Sequence, residues 1–168
     1  GVSVGKKDIM HESLRLMGAE RIFWRVKMKP GMPTLFSAYK KTSDITATDH
    51  CVSEREIPII SLSGNPFGVA VSIELLIRPA LEKMMQDPSI GLKEVNGIMA
   101  DNFEKGIKGR RFIRAYLENG KFHLPNGLHS NGVLSSMAGC NCLIDTKTME
   151  NQESRSLNAG DKVGAILL

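Results

Sequence analysis

The chain has few cysteines, few aromatic residues and no long apolar run, and each shortage closes off a class of protein. Its three cysteines, Cys51, Cys140 and Cys142, are an odd number without framework spacing, which argues against a disulfide scaffold and suits a reducing compartment. There is no CxxC pair, and the nearest imidazoles to Cys140 and Cys142 are His123 and His129. The two thiols, expected on one face of a strand, therefore make half a zinc site at best. The longest apolar stretch, residues 69–81, is interrupted by Ser72, Glu74 and Arg78 and falls short of the roughly 20 residues that cross a bilayer. Without a charged n-region and apolar h-region at its start, the chain reads as cytoplasmic, with no membrane association.

What is present is ordinary for a soluble globular protein: 42% apolar and 24% charged residues in a chain of 168, enough for one or two domains. A net charge of +4 favours anionic partners. The cluster Lys105, Lys108, Arg110, Arg111 and Arg114 could serve nucleic acid. The alternation in "RRFIRAYL" instead predicts a strand with its charges on the wet face, and aromatics at 5% leave no interleaved stacking platform. Nucleic acid is not an expected partner.

In chain order, "DIMHESLRLMG" has helical spacing between Asp8 at the start and Gly18 at the end. "RIFWRVKM" alternates as a strand, "KPGMP" breaks it, and "TLFSAY" predicts another strand. Residues 40–56 are polar and predict an exposed connection or hairpin tip. "IPIISL" predicts a strand buried on both faces of an α/β sheet. It runs into "SGNPFGVAVSIELLIRPALEKMM", a helix with Asn65 as N-cap and Pro66 in the first turn, kinked or interrupted at Pro79 and ending by Gln86. After the linker "QDPSIGLKE" come short strands: a hairpin turning at Asn119-Gly120, "VLSSMAGCNCLI", the turn "LNAGD", and "KVGAILL". The expected organisation is an α/β domain over residues 1–90 and a small all-β domain over 91–168.

Three loops stand at strand ends or helix starts: Gly1 to Asp8, Lys29 to Pro33, and Ser63 to Pro66. Such loops gather beyond the carboxyl ends of the strands in an open α/β sheet, so one shared site is expected. Glycines with free amides and a helix N-terminus suit an anionic, phosphorylated ligand. Lys29 adds a point charge, and Asp8 could hold Mg²⁺ together with substrate phosphates. Each loop also has a plain reading as a turn, a strand end or a helix cap.

Taken together, "GVSVGKKD", "FWRVKMKPGMP", "LSGNPFGVAVSIELLIRPAL", "KGRRFIRAYL", "SNGVLSSMAGCNCLI" and "LNAGDKVGAILL" resemble, in order and over nearly the whole chain, the molybdopterin molybdenumtransferase family of the MoeA type. The C-terminal domain of gephyrin belongs to the same group. The resemblance implies a partial three-layer α/β, molybdopterin-binding-like domain followed by a small barrel-like β domain. It implies Mg²⁺-dependent insertion of molybdate into adenylylated molybdopterin with release of AMP. It places Asp8 and Lys29 in catalysis, Asp8 also at the metal, and Gly1, Ser3, Gly5, Pro30, Gly31, Gly64, Asn65 and Pro66 around the ligand. Family members are homodimers about twice this length or more, so the chain reads as a C-terminal fragment, catalytically incomplete alone. Met32 stands where many members carry a second lysine, and Ser63 replaces a proline. The competing expectations are a gephyrin-like scaffolding module and a basic RNA-binding β domain.

Overall fold

Glu20–Trp24 (β1), with Ile22, Phe23 and Trp24 in succession, forms a strand that stops abruptly where Arg25 adopts a left-handed backbone with φ 72°. The expected single strand "RIFWRVKM" is therefore two: Met28–Lys29 (β2) pairs in parallel with a different sheet, through Arg110 and Arg111. Leu35–Thr42 (β3) pairs antiparallel with β1 and with Glu54–Ser61 (β4), from Leu35 opposite Ser61 to Thr42 opposite Glu54. Both ends of the expected 40–56 connection are thus strand.

The computed structural model describes residues 2–5, 8–42, 54–104, 109–126, 133–146 and 156–168. These divide into two compact units, Gly1–Val26 with Pro33–Gly64, and Lys27–Met32 with Asn65–Leu168. The boundary expected at residues 90 and 91 lies inside the second unit.

In the first unit the sheet order is β1, β3, β4, and helix α1 (Met10–Leu16) contacts β1. Leu14 of that helix, Val2 and Leu35 form the buried cluster, with Trp24 and Ile59 packed on it. β4 is not buried on both faces as expected: Ile57 is 41% exposed and Pro58 is exposed. The strand lies at the end of the sheet, the position that tolerates a proline with no N–H to give a neighbour.

In the second unit, helix α2 (Pro66–Ser72) runs through a π-helical segment, Ile73–Ile77, into α3 (Arg78–Met85). Pro79 was expected to kink or interrupt this helix. The α-helix is interrupted ahead of it, by the wider π turn that carries the chain past the missing donor, and Arg78 pairs with the buried Glu74 across it, Nη2 to Oε1 at 2.9 Å. The helix ends at Gln86 in a left-handed cap.

Five further strands close into a barrel: Glu94–Met99 (β5), Arg110–Glu118 (β6), Lys121–His123 (β7), Cys142–Asp145 (β8) and Lys162–Leu167 (β9). Their order is β6, β7, β5, β9, β8, and β8 pairs back to β6. Closure leaves no open edge among the five. Asn119 and Gly120 turn the β6–β7 hairpin with φ 49° and 76°, as their tolerance of positive φ predicts. Phe122, Leu157, Ile144 and Met99 fill the interior, each side chain contributing about 1.5–3 kcal/mol by leaving water. β5 falls in a stretch with no strong strand pattern. Within "VLSSMAGCNCLI" residues Leu134–Met137 are 3₁₀, so only Cys142 onward is strand. Cys140 lies outside β8, and the two thiols do not share a strand face.

Candidate functional site

The first loop folds back on itself. Val2 is buried, Ser3 and Gly5 are exposed, and the Asp8 carboxylate accepts the Gly5 amide at 2.9 Å while the Gly5 carbonyl accepts the Asp8 amide at 2.9 Å. Asp8 therefore does not cap α1 as its position suggests; Ile9 occupies the cap and gives no side-chain bond. The Gly5 amide holds the Asp8 carboxyl below the usual carboxylate range, leaving it ionised at neutral pH. Gly1 lies outside the described residues. Beside the loop a cleft of about 420 Å³ is lined by Asp8, His11, Arg15, Arg21 and Ser37 among others. Arg15 there is occupied by Glu12, Nη2 to Oε1 at 2.6 Å.

In the second unit Lys29 is exposed while Pro30 and Gly31 are buried, and the Lys29–Pro30 bond is cis. Gly31 has φ 99°, and a Cβ on it would lie 2.6 Å from Met28 Cε, 2.7 Å from Ser72 Oγ and 3.3 Å from the Gly68 carbonyl. The loop thus lies directly on the helix that Asn65 begins. Asn65 Oδ1 accepts the Gly68 amide at 3.0 Å, with Pro66 in the first turn, so Asn65 is the N-cap its sequence context predicts.

The structure brings Ser3, Gly5 and Asp8 together in one unit, and Lys29, Pro30 and Gly31 against the helix of Asn65 and Pro66 in the other. Gly64 is the last residue of the first unit.

The β6 arginines depart from the wet face expected of them. Arg114 is 1% and Arg111 8% exposed; their guanidinium carbons sit 4.3 Å from the Phe67 ring and 5.1 Å from the Phe103 ring. Burial pushes both guanidinium pKa values down, and the ring faces offset part of that cost. Alternation identifies two faces of a strand but not which one another element covers. Arg110 forms an ion pair with Asp145, Nη2 to Oδ2 at 2.8 Å. Lys105 and Lys108 of the same cluster lie outside the described residues.

The Cys142 thiol donates to the Ala115 carbonyl at 3.3 Å, and burial, reinforced by Cys140, pushes its pKa up to about 12. A thiol held protonated is neither nucleophile nor metal ligand, and no group of three metal-ligating side chains occurs among the described residues. Native chain treated with iodoacetamide at pH 8 is expected to remain unmodified at Cys142 by peptide mass spectrometry. Modification at the rate of a free thiol would contradict that burial.

Two family models cover the chain: "Probable molybdopterin binding domain" matches residues 1–83 and "MoeA C-terminal region (domain IV)" matches residues 96–168. The chain belongs to the MoeA-type molybdopterin molybdenumtransferase family. Molybdopterin molybdenumtransferase of Staphylococcus aureus (strain COL) is 28% identical over 170 residues, covering 99% of this chain and 36% of that protein. The Staphylococcus epidermidis enzyme of the same name is 26% identical with the same coverage. The chain therefore spans about a third of the length of these MoeA-type relatives. Among solved structures, the MoeA protein of Pyrococcus horikoshii OT3 superposes with a TM-score of 0.63 at 21% identity, over 92% of this chain and 33% of that one. A molybdenum cofactor biosynthesis protein from Pyrococcus furiosus gives 0.60 at 16% identity, over 89% and 45%. These likenesses establish the MoeA fold, with its mixed α/β part and closed five-stranded barrel.

Two residues near these loops were given no role from the sequence. Trp24, which stands within the stretch "FWRVKMKPGMP" and is the sole tryptophan, donates its indole N–H to the Val2 carbonyl at 2.8 Å. Arg114 had no local hint, because its burial depends on Phe67, 47 positions away in the sequence.

Proposed function

We propose that the chain serves molybdate insertion in molybdenum cofactor biosynthesis, acting on adenylylated molybdopterin with release of AMP and cofactor. The observation that carries this is the seating of Lys29-Pro30-Gly31 on the helix begun by Asn65 and Pro66, in a chain of this family; in the first unit, taken by itself, an ionised Asp8 closes a glycine loop. Backbone amides of the glycine loop and of the helix start suit phosphate oxygens. Lys29, exposed, would neutralise phosphate or molybdate charge as a point cation. The substrate's own thiolates are the nucleophiles, so the chain contributes position and charge rather than a reacting side chain.

Mg²⁺ fits in one form only. Asp8 is an ionised carboxylate in no group of three ligating side chains among the described residues, which suits an ion that keeps waters and takes its other ligands from substrate phosphates. Bound there, Mg²⁺ would supply charge to those phosphate oxygens. Asp8 keeps its carboxylate ionised and oriented through the Gly5 amide. A homodimer in the complete protein and a cytoplasmic location belong to the same proposal.

The test is rescue of molybdoenzyme activity in cells lacking their own insertion enzyme. The chain joined to the remaining two thirds of a family enzyme restores activity, and the chain alone does not. A folded chimera that restores none overturns the proposal; rescue by the chain alone overturns its incompleteness. A gephyrin-like scaffolding role has one observation in its favour, Met32, 48% exposed in the place of a second lysine.

A further inference from the structure

We propose that Trp24 is the positioning residue of the glycine loop, setting the path of Val2 to Gly5 through its indole N–H. The loop is held at both ends by different means. At Gly5 the Asp8 carboxylate and amide close a turn. At Val2 the side chain is buried, 1% exposed, against Leu14 and Leu35, and its carbonyl accepts from Trp24 Nε1 at 2.8 Å across 22 positions of sequence. Trp24 thus links β1 to the loop.

The indole is itself fixed. The His11 ring meets it edge-on, centroids 4.6 Å apart at 82°. The Arg25 guanidinium lies over its face, 4.2 Å from the centroid. Arg25 reaches that place because its backbone turns left-handed, at φ 72°, while its amide donates to the Thr34 carbonyl at 2.8 Å. A non-glycine residue in that conformation is strained and persists where its surroundings hold it there. Here the strained residue clamps the ring that pins the loop. A phenylalanine would keep an aromatic face under the cation while filling only part of the indole's space, and it has no N–H, so it would leave the Val2 carbonyl without this partner.

Two consequences separate this role from packing. Loss of the N–H should loosen Val2 to Gly5 without disturbing α1 or β3. Under the proposed activity, on which this half rests, it should also weaken ligand capture more than turnover.

Because the chain has one tryptophan, biosynthetic replacement by β-(benzothiophen-3-yl)alanine, an isostere with sulfur in place of the indole N–H, changes this residue alone. ¹⁵N relaxation on the 168-residue chain is expected to give Val2 to Gly5 order parameters near the rigid value of about 0.85, falling below about 0.6 in the isostere and in Trp24→Phe. Those of α1 and β3 stay put. An unchanged loop in the isostere overturns the proposal, even if Trp24→Phe misfolds. In the rescuing chimera, Trp24→Phe raises KM for adenylylated molybdopterin about fivefold, the worth of one neutral hydrogen bond, with kcat within about twofold. An unchanged KM overturns the link to the ligand. A wild-type chimera that inserts no molybdate overturns the proposed activity instead, and leaves the relaxation result to decide the role of Trp24.

Discussion

Asp8→Asn in the chimera that rescues molybdoenzyme activity is expected to lower that rescue by at least about a hundredfold, the scale of losing one preorganised electrostatic group at a reacting phosphate. Asn keeps the shape of Asp8 and an oxygen that can still accept the Gly5 amide, so the loop geometry survives and only the charge is lost. Undiminished rescue removes Asp8 from the mechanism. The same substitution has a pH signature in the isolated chain. The folded-state pKa of Asp8 lies below its ordinary value of 3.8, chiefly through the Gly5 amide. Its contribution to stability is therefore present above the ordinary carboxylate pKa and is lost as pH falls through the lowered one. Asp8→Asn should flatten that part of the acid limb and leave the neutral plateau's shape unchanged.

Gly31→Ala is expected to carry the largest stability cost of any single methyl added to the candidate site, roughly 2–5 kcal/mol. About 1–2 kcal/mol comes from forcing a side chain into the left-handed region and about 1–3 from overpacking. The geometry leaves little relief: the new Cβ would meet Met28 Cε at 2.6 Å and Ser72 Oγ at 2.7 Å, with the Gly68 carbonyl behind at 3.3 Å. Met28 can swing away, but the helix backbone cannot. Urea unfolding should show a lower midpoint with an unchanged slope. Gly64→Ala is the control, since nothing lies within 4 Å of its Cβ position, and it should stay within about 0.5 kcal/mol. Equal effects at the two positions would mean that the Lys29-Pro30-Gly31 loop does not rest on the helix.

Local chemistry was legible wherever one residue type has one physical reason to be there. Asn65 before Pro66 announces a capped helix, Asn119-Gly120 a tight hairpin, and the ordered loops a family whose two models tile the chain. Illegible were the features that need a second element. The pattern of "RRFIRAYL" cannot say that Phe67 and Phe103 cover its arginines. Asp8 ahead of a helix cannot say that its carboxylate turns back to Gly5. "RIFWRVKM" cannot say that Arg25 breaks the strand so that β2 joins another sheet.

The sequence by itself determined the capped start of the helix at Asn65 and the hairpin turn at Asn119-Gly120, because caps and positive φ act within a few bonds. The tertiary structure alone decided which face of each strand is dry, which arginines are withdrawn from solvent, and that Trp24 holds the first loop. Those outcomes depend on contacts between residues far apart in the chain, and burial and desolvation are set by what finally lies against a side chain.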